Sequence, residues 1–315
     1  MDLSIIIPTR DRAAHLQRLL ERLGRQIPAP FLWEIIIVDN ASQDGTRECV
    51  MNQIHSSSLY ISYIYEPKPG LHQGRHRGAL AAKGECLAFL DDDVLPDPQW
   101  ILALQSLIYH KAQAMGGPVR PHWACPPPDW VESFWIPCPD GKYCFPLGLI
   151  DLGHEPIIPV SPYFIFGGNL FILKKTLFDM GGFHPDAMPR DLIRFRGDGE
   201  TGLMLHFLDS GLVCIHEPKA VVRHVIESDH LTVDYFSYRY YNQGISDSFT
   251  HIRKNGGPTA AQTHFRIPPD IDPRYLPLWQ KMAQAYLDGW QYHYGEVRSD
   301  PALLAHVLQP SYWPY

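Results

Sequence analysis

Short apolar runs alternate with helix-like patterns along the first third of the chain. Three of these runs, at residues 3–8, 34–38 and 86–90, end abruptly in polar residues. Between residues 16 and 23, leucines recur at the i, i+3, i+4, i+7 spacing of a helix that packs one face on a sheet. This alternation predicts an α/β fold with a mostly parallel sheet that is covered by helices on both faces.

The polar residues that end the apolar runs indicate a shared crevice. The first run ends at Thr9, the second at Asp39, and the third in the aspartate triplet at 91–93. Ligands bind outside the carboxyl ends of the strands in open α/β sheets. Carboxylates at that place suit a hard divalent cation that also binds phosphate oxygens, although an isolated aspartate triplet is equally typical of a solvated turn or helix cap.

The pattern changes after residue 115. Between residues 116 and 165 prolines and aromatic residues are dense and periodicity is lost, which is typical of a functional lid or binding loop. From about residue 230 the chain is helical and aromatic. We therefore expect one large domain over 1–229, in which 116–165 is an irregular lid or acceptor loop, and a helical, aromatic-rich C-terminal extension over 230–315.

Composition narrows the class of protein. The chain has 315 residues, 45% of them hydrophobic, and a formal net charge of −7, which argues against a nucleic-acid binder. Its six cysteines are unevenly spaced and form no paired Cys-x-x-Cys pattern, so we expect no disulfide scaffold and no zinc site. No segment approaches the about 20 apolar residues of a membrane span. We expect a cytoplasmic protein without a transmembrane segment, and peripheral contact with the inner face of a membrane stays open.

Six motifs, taken in order, resemble the family 2 glycosyltransferases with a GT-A fold. They are Ile-Ile-Ile-Pro-Thr-Arg at 5–10, Ile-Val-Asp-Asn-Ala-Ser at 37–42, the glycine- and arginine-containing stretch 70–84, Leu-Asp-Asp-Asp at 90–93, Gly-Gly-Asn at 167–169 and Gly-Asp-Gly-Glu at 197–200. The resemblance covers roughly residues 3–226. It implies a Rossmann-like GT-A catalytic domain over 1–229 that transfers a sugar, with a hexosyltransferase expected.

The resemblance also implies the cofactor, the partners and the reaction. The donor is a nucleoside-diphosphate sugar, with a UDP-sugar expected, and the cofactor is a divalent cation, Mn²⁺ or Mg²⁺. The anomeric carbon is inverted by direct displacement, in glycan or polysaccharide biosynthesis. The acceptor is a glycan, a lipid-linked sugar or a protein, no nucleic acid takes part, and a homodimer stays open.

The aspartate triplet and one histidine carry the metal assignment. Asp93 matches the metal-binding last position of the family's Asp-x-Asp motif, and Asp91 matches its first position, near the ribose or the metal. Asp92 lies between them and is included among the nucleotide-sugar contacts. His224 matches a position where related enzymes often place a ligand of the metal or the diphosphate, and a structural histidine is the alternative.

The nucleoside is expected near the ends of the first two strands. Pro8, Thr9 and Asp39 fall where the family holds it, and the Asp39 carboxylate can accept a hydrogen bond from a base N–H or a ribose hydroxyl. The alternative for Asp39 is a turn-forming role before Asn40.

Arginines supply the candidate phosphate or base contacts. A guanidinium fork matches anionic oxygens, which makes Arg10, Arg75 and Arg77 candidates, with Arg77 preferred. For each of them the alternative is a solvated helix face.

Inverting transfer needs a general base that takes the proton from the acceptor hydroxyl. In the family this is an acidic residue that opens the helix after the Gly-Gly-Asn strand, commonly the aspartate of a Glu-Asp pair. That pair is absent here, and Glu200 stands at the corresponding position with Asp198 as the rival. The alternative for Glu200 is a simple first-turn carboxylate that favours the helix dipole.

Two other functions remain open on the sequence alone. A nucleotidyltransferase would use a similar sheet, metal and nucleotide, but the glycine-rich loop and lysine expected near its N-terminus are missing from residues 7–11. A catalytically inactive nucleotide- or carbohydrate-binding module would not need the acidic residues at 198 and 200.

Overall fold

The structure, a computed structural model, describes residues 1–260 and 265–313. Its strands, in chain order, are β1 Leu3–Thr9, β2 Trp33–Asp39, β3 Ile61–Tyr65, β4 Cys86–Leu90, β5 Val94–Pro96, β6 Ala114–Gly116, β7 Val119–Trp123, β8 Ile136–Cys138, β9 Gly141–Cys144, β10 Leu149–Asp151, β11 Asn169–Leu173, β12 Cys214–His216 and β13 Val222–Ile226. Its α-helices are α1 Ala13–Leu23, α2 Thr46–Ser56, α3 Leu71–Ala81, α4 Leu104–Tyr109, α5 Lys174–Asp179, α6 Glu200–Asp209, α7 Val233–Asn255, α8 Leu276–Ser299 and α9 Pro301–Val307.

The main sheet has the strand order β12-β6-β11-β4-β1-β2-β3. β11 runs antiparallel to both of its neighbours and the other pairs are parallel, so the predicted mostly parallel α/β sheet is confirmed. Every residue of β1 and of β4 is buried. Because helices cover both faces of such strands, their sequences are continuous apolar runs.

A second sheet, in the order β5-β13-β7-β10-β9-β8, is built largely from the segment that was expected to be irregular. Strands β7, β8, β9 and β10 all lie inside residues 116–165, so the expectation of an irregular segment is wrong. These strands are three to five residues long, too short to show a period, and Pro121 and Pro137 lie within two of them. The role of this segment as a lid or acceptor loop stays a prediction.

The helical C-terminal region is confirmed and consists of α7, α8 and α9. Gly244 of α7 lies against the backbone of Tyr286, and Gly289 of α8 lies against the backbone of Tyr241, so the missing Cβ atoms let the two helices touch. Residues 261–264 and 314–315 of the predicted extension lie outside the described residues. None of the described helices combines the length and apolarity that a membrane crossing requires.

The end of the described chain packs against α3. The Trp313 ring stacks on His76, with ring centroids 4.1 Å apart, and on Phe178, with centroids 4.4 Å apart. His76 Nδ1 donates to the backbone oxygen of Tyr312 at 3.2 Å, and its Nε2 accepts from the Phe183 N–H at 2.8 Å. Protonation of Nε2 would set two N–H groups against each other, so His76 is neutral in the folded chain.

We expect the free energy of unfolding to fall as the pH drops below about 6.5. Burial, and then the neighbouring His72, lowers the pKa of His76 to about 3. Below the pKa of an unfolded histidine the unfolded chain therefore binds more protons than the folded chain. His76 contributes a loss of about 1.4 kcal/mol per pH unit until its own folded pKa is reached.

Urea titrations at pH values from 7 to 4 measure this effect. In the His76→Gln variant, the slope of unfolding free energy against pH should be smaller than in the parent by the contribution of one proton, about 1.4 kcal/mol per pH unit. His154→Gln is the control, because His154 is exposed. Equal slopes for the parent and the His76 variant would contradict the prediction.

Candidate active site

A cavity of about 1030 Å³ lies at the carboxyl ends of β1 and β4. The second sheet, the start of α6 and one side of α7 complete its wall. The predicted site residues that line it are Pro8, Thr9, Arg10, Asp91, Asp92, Asp93, Asp198, Glu200 and His224. The crevice expected from the polar strand ends is therefore present, and it brings most of the predicted residues together.

Asp92 connects the aspartate triplet to the neighbouring strand β1 through a hydrogen bond. The Thr9 hydroxyl at the end of β1 donates to Asp92 Oδ2 at 2.6 Å, and Asp92 is 7% exposed. Burial, and then the adjacent Asp93 charge, raises the pKa of Asp92 to about 7. Thr9 and Asp92 thus hold each other at the floor of the cavity.

Asp93 faces two cationic side chains. Arg12 Nη1 lies 2.5 Å from Asp93 Oδ2, and His224 Nε2 lies 3.6 Å from the same oxygen. Burial opposes ionisation of Asp93, but the charges of His224 and Arg12 hold its pKa below its ordinary value. His224 Nδ1 lies 2.8 Å from the backbone oxygen of Leu147 and must donate to it, which leaves Nε2 directed at Asp93. Sequence analysis missed Arg12, whose partners lie 80 and 81 residues away.

The donor atoms at Asp93 and His224 fit part of a metal site. Within residues 1–260 and 265–313, no group of three or more His, Cys, Asp or Glu side chains is arranged to hold a metal ion. Asp93 and His224 supply two donors, and Mg²⁺ is commonly bound through one or two carboxylates together with substrate phosphates and water. The Nδ1 bond of His224 to a backbone carbonyl is the outer contact that orients a metal-binding histidine. These residues therefore fit a cation whose remaining ligands come from a phosphate.

Asp91 is directed to a different partner. Its Oδ1 lies 3.3 Å from Nη2 of Arg75, a residue of α3 whose side chain is 2% exposed. The Arg75 Nη1 lies 3.3 Å from Glu200 Oε2, so one buried guanidinium bridges the two carboxylates. The structure thus pairs Asp91 with Arg75, which also contacts Glu200, and the metal role of Asp91 stays a prediction.

Two glycines make room for this bridge. A Cβ at Gly167 would lie 2.7 Å from Arg75 Nη2, and a Cβ at Gly168 would lie 2.5 Å from Asp91 Oδ2. Both distances are shorter than real Cβ contacts, so a side chain at either position would displace the Arg75 guanidinium or the Asp91 carboxylate from the bridge. The next residue, Asn169, accepts from the Trp100 indole and donates to the Ala220 carbonyl oxygen, which anchors the turn in the core.

The two candidate bases differ in how they are held. Glu200 opens α6, its side chain is 31% exposed, and its Oε1 accepts from the Gly167 N–H at 3.3 Å. The Asp198 side chain is 2% exposed; its Oδ1 lies 2.5 Å from His184 Nδ1, and its Oδ2 accepts from the Thr250 hydroxyl at 2.6 Å. Each of the two carboxylates has a partner on both oxygens, but Asp198 is buried and Glu200 is partly exposed, so Glu200 is the one of the two that a bound molecule can reach.

Two predicted contacts, Asp39 and Arg77, do not line the cavity. Asp39 is 2% exposed, and its oxygens accept from the Tyr63 hydroxyl at 2.7 Å and from the Ser42 N–H at 2.8 Å. It therefore holds the turn after β2, which is the alternative that the sequence left open. Arg77 is exposed on α3, whereas Arg75, two residues earlier, reaches the site.

Helix α7 brings residues of the C-terminal region to the cavity. The lining residues on this helix lie between Tyr235 and Asp247. The Ser246 hydroxyl donates to the Gly197 carbonyl oxygen at 2.9 Å, which ties α7 to the loop before α6. Sequence analysis gave this helix no role in the site, because no motif marks it.

Comparisons with known proteins agree with this geometry. The family model described as "Glycosyl transferase family 2" matches residues 4–156. A validoxylamine A glucosyltransferase of Streptomyces hygroscopicus subsp. limoneus is 39% identical over 101 residues, which are 31% of this chain and 22% of that relative. A glucosyl-dolichyl phosphate glucuronosyltransferase of Haloferax volcanii is 21% identical over 253 residues, which are 78% of this chain and 76% of that relative.

Solved structures show the same architecture. A mannosyltransferase from Pyrobaculum calidifontis, solved in complex with GDP-Man and Mn²⁺, is similar with a TM-score of 0.56 and 17% identity, over 96% of this chain and 74% of that one. The fold thus resembles GT-A glycosyltransferases, as the motifs implied. The chain spans about a fifth of the length of the validoxylamine relative, and the family match lies in its first half. Residues 4–156, just under half of the chain, match the model of glycosyl transferase family 2, and this part of the chain is therefore similar to the glycosyltransferases of that family.

Proposed function

We propose that this chain transfers a sugar from a nucleoside-diphosphate sugar to an acceptor hydroxyl, with a divalent cation and with inversion at the anomeric carbon. One observation carries the proposal. A single cavity is lined by the Asp93–His224 pair and by the reachable carboxylate of Glu200. Asp93 and His224 can hold a cation that also binds phosphate oxygens, and Glu200 can accept a proton.

The donor would lie along the ends of β1 and β4. When bound at Asp93 and His224, a Mn²⁺ or Mg²⁺ ion would neutralise the charge that develops on the departing nucleoside diphosphate. Pro8, Thr9 and Arg10 line the adjoining wall and are the proposed contacts of the nucleoside. The mannosyltransferase neighbour was solved with GDP-Man and Mn²⁺, which supports this donor class.

The acceptor hydroxyl would be activated by Glu200. A carboxylate oxygen of this residue would accept the hydroxyl proton while the acceptor oxygen attacks the anomeric carbon from the side opposite the diphosphate. Arg75 contacts both Glu200 and Asp91. It would hold the Glu200 carboxylate at a fixed distance from Asp91, at the end of β4 where the nucleotide sugar is proposed to lie. Direct displacement from the opposite side inverts the anomeric carbon.

The names of two related chains state the compound that each of them glycosylates. One is named a validoxylamine A glucosyltransferase, and the other is named a glucosyl-dolichyl phosphate glucuronosyltransferase. We extend the proposal to glycan biosynthesis, with a glycan or lipid-linked sugar as the acceptor class.

A nucleotide titration tests the proposal. We expect at least one of UDP, GDP and dTDP to bind in the presence of Mn²⁺ and to bind far more weakly in EDTA, because a cation held at Asp93 and His224 would supply ligand positions for the phosphate oxygens. Incubation with the corresponding nucleotide sugars should release the nucleoside diphosphate. If none of the three nucleotides binds, or if EDTA leaves binding unchanged, the proposal fails.

A further inference from the structure

Among the residues that the structure describes, two arginines that line the cavity lack a carboxylate partner, and one of them is half-buried. Of the lining arginines in the described part of the chain, Arg10, Arg12 and Arg196 are each paired with an aspartate. Arg239 and Arg266 form no such pair. Arg266 is exposed, whereas Arg239 is half-buried and its Nε is buried without a hydrogen-bond partner. A buried donor without an acceptor is unfavourable, so Arg239 is a candidate for contact with a ligand.

The position of Arg239 is fixed by the second sheet. Its guanidinium carbon lies 5.6 Å from the centre of the Phe145 ring, and Phe145 opens the short turn at 145–147 that joins β9 to β10. The backbone oxygen of Leu147, in the same turn, accepts from His224 Nδ1 at 2.8 Å. One turn of three residues therefore orients both the histidine of the proposed cation site and the unpaired arginine.

A second set of contacts places the face of α7 that carries Arg239 beside His224. Tyr235 precedes Arg239 by one helical turn and so lies on the same side of α7. The Tyr235 ring lies 4.6 Å from the His230 ring, and the His230 ring lies 6.3 Å from the His224 ring. Arg239 therefore lies on the cavity wall next to the proposed cation site.

We propose that Arg239 binds phosphate oxygens of a substrate beside the cation site at Asp93 and His224. A guanidinium can donate two parallel hydrogen bonds to phosphate oxygens. The neighbouring cation would bind other oxygens of the same phosphate group. This inference rests on the proposed function. The phosphate has two sources, the diphosphate of the donor or a phosphate carried by the acceptor.

The test compares nucleotide binding by Arg239→Met, Arg239→Lys and the parent. Methionine keeps an unbranched apolar stem against Phe145 and removes the charge, and lysine keeps the charge without the fork. With Mn²⁺ present, Arg239→Met should bind UDP or GDP about 10–100-fold more weakly, while binding of uridine or guanosine is unchanged. Lysine should recover part of the loss. Arg298→Met is the control, because Arg298 is an exposed arginine of α8 outside the cavity.

A second titration separates the two sources. Inorganic pyrophosphate is added to protein that is already saturated with the nucleoside diphosphate and Mn²⁺. If nucleotide affinity falls in Arg239→Met, the donor diphosphate is the ligand. If nucleotide affinity is unchanged but pyrophosphate binding is lost, the ligand is a phosphate of the acceptor.

The remaining outcomes separate this inference from the proposed function. Equal binding of every probe by the parent and by an Arg239→Met variant with unchanged circular dichroism overturns the inference and leaves the proposed function standing. If the parent binds no nucleotide but binds pyrophosphate through Arg239, the phosphate site stands and the proposed function fails. Weaker binding of uridine or guanosine in the variant would indicate a general disturbance of the pocket and would also overturn the inference.

Discussion

Replacing Glu200 by Gln should slow sugar transfer by about 10²–10⁴-fold and leave nucleotide binding unchanged. The amide oxygen can still accept from one of its two donors, Arg75 or the Gly167 N–H, and the NH₂ group then faces the other. Because the Glu200 side chain is 31% exposed and Arg75 keeps its pair with Asp91, we expect the site to retain its shape. What is lost is the ability to take a proton from the acceptor. Transfer is measured with the nucleotide sugar and acceptor that the parent uses, and nucleotide affinity is measured in parallel with Mn²⁺.

Asp198→Asn is the matched control for this prediction. Asp198 accepts from both His184 and Thr250 in a buried place, so an amide would set its NH₂ group against one of these donors. We therefore expect Asp198→Asn to lower the melting temperature, with a much smaller effect on transfer per folded molecule. If the Asp198 variant alone loses transfer while both variants fold and bind nucleotide, the base is Asp198.

The main sheet could be predicted from the sequence because its signals are local. A strand such as β4 is a continuous apolar run, and the aspartates that end it follow directly in the chain. The second sheet could not be predicted in the same way. β8 and β10 are three residues long, and their pairing is decided by contacts with distant strands, which leave no period in the sequence.

The same distinction holds in the site. Thr9, the aspartate triplet and Glu200 could be found because each stands at the end of an element or at the start of one. Arg75 was one of three candidate arginines, but its role as a bridge could not be predicted, since its partners lie 16 and 125 residues away. One signal was present, because Gly74 and Gly78 mark the face of α3 that packs on β1, and Arg75 is next to that face.

Helix geometry also explains why Arg77 does not reach the cavity. Successive residues of an α-helix are about 100° apart, so Arg77 points about 200° away from Arg75 and into solvent. Arginine type and motif position do not distinguish the two residues. The side of the helix on which each arginine lies distinguishes them. Gly74 and Gly78 allow that side to be inferred from the sequence, because they mark the packed face of α3.

Replacing Asp93 by Ala should remove the effect of Mn²⁺ on nucleotide binding, with a loss of affinity of about 100-fold or more in the presence of the metal. Changes in the outer contacts of a metal ligand typically weaken metal binding 10–100-fold, and Asp93 is a proposed direct ligand. In EDTA the variant should bind no worse than the parent. Removal of the carboxylate leaves Arg12 and His224 without their anionic partner, so they stay available to phosphate oxygens.

This combination distinguishes a lost metal site from a damaged pocket, because a damaged pocket would weaken binding in EDTA as well. Asp97→Ala is the control, since Asp97 lies four residues further along, contacts Arg223 at 3.2 Å and does not line the cavity. It should respond to Mn²⁺ as the parent does. The experiment is an isothermal titration of the nucleoside diphosphate with Mn²⁺ and with EDTA for all three proteins. A parent-like response of the Asp93 variant to Mn²⁺ would show that the cation is held elsewhere, and the roles of both Asp93 and His224 would have to be withdrawn.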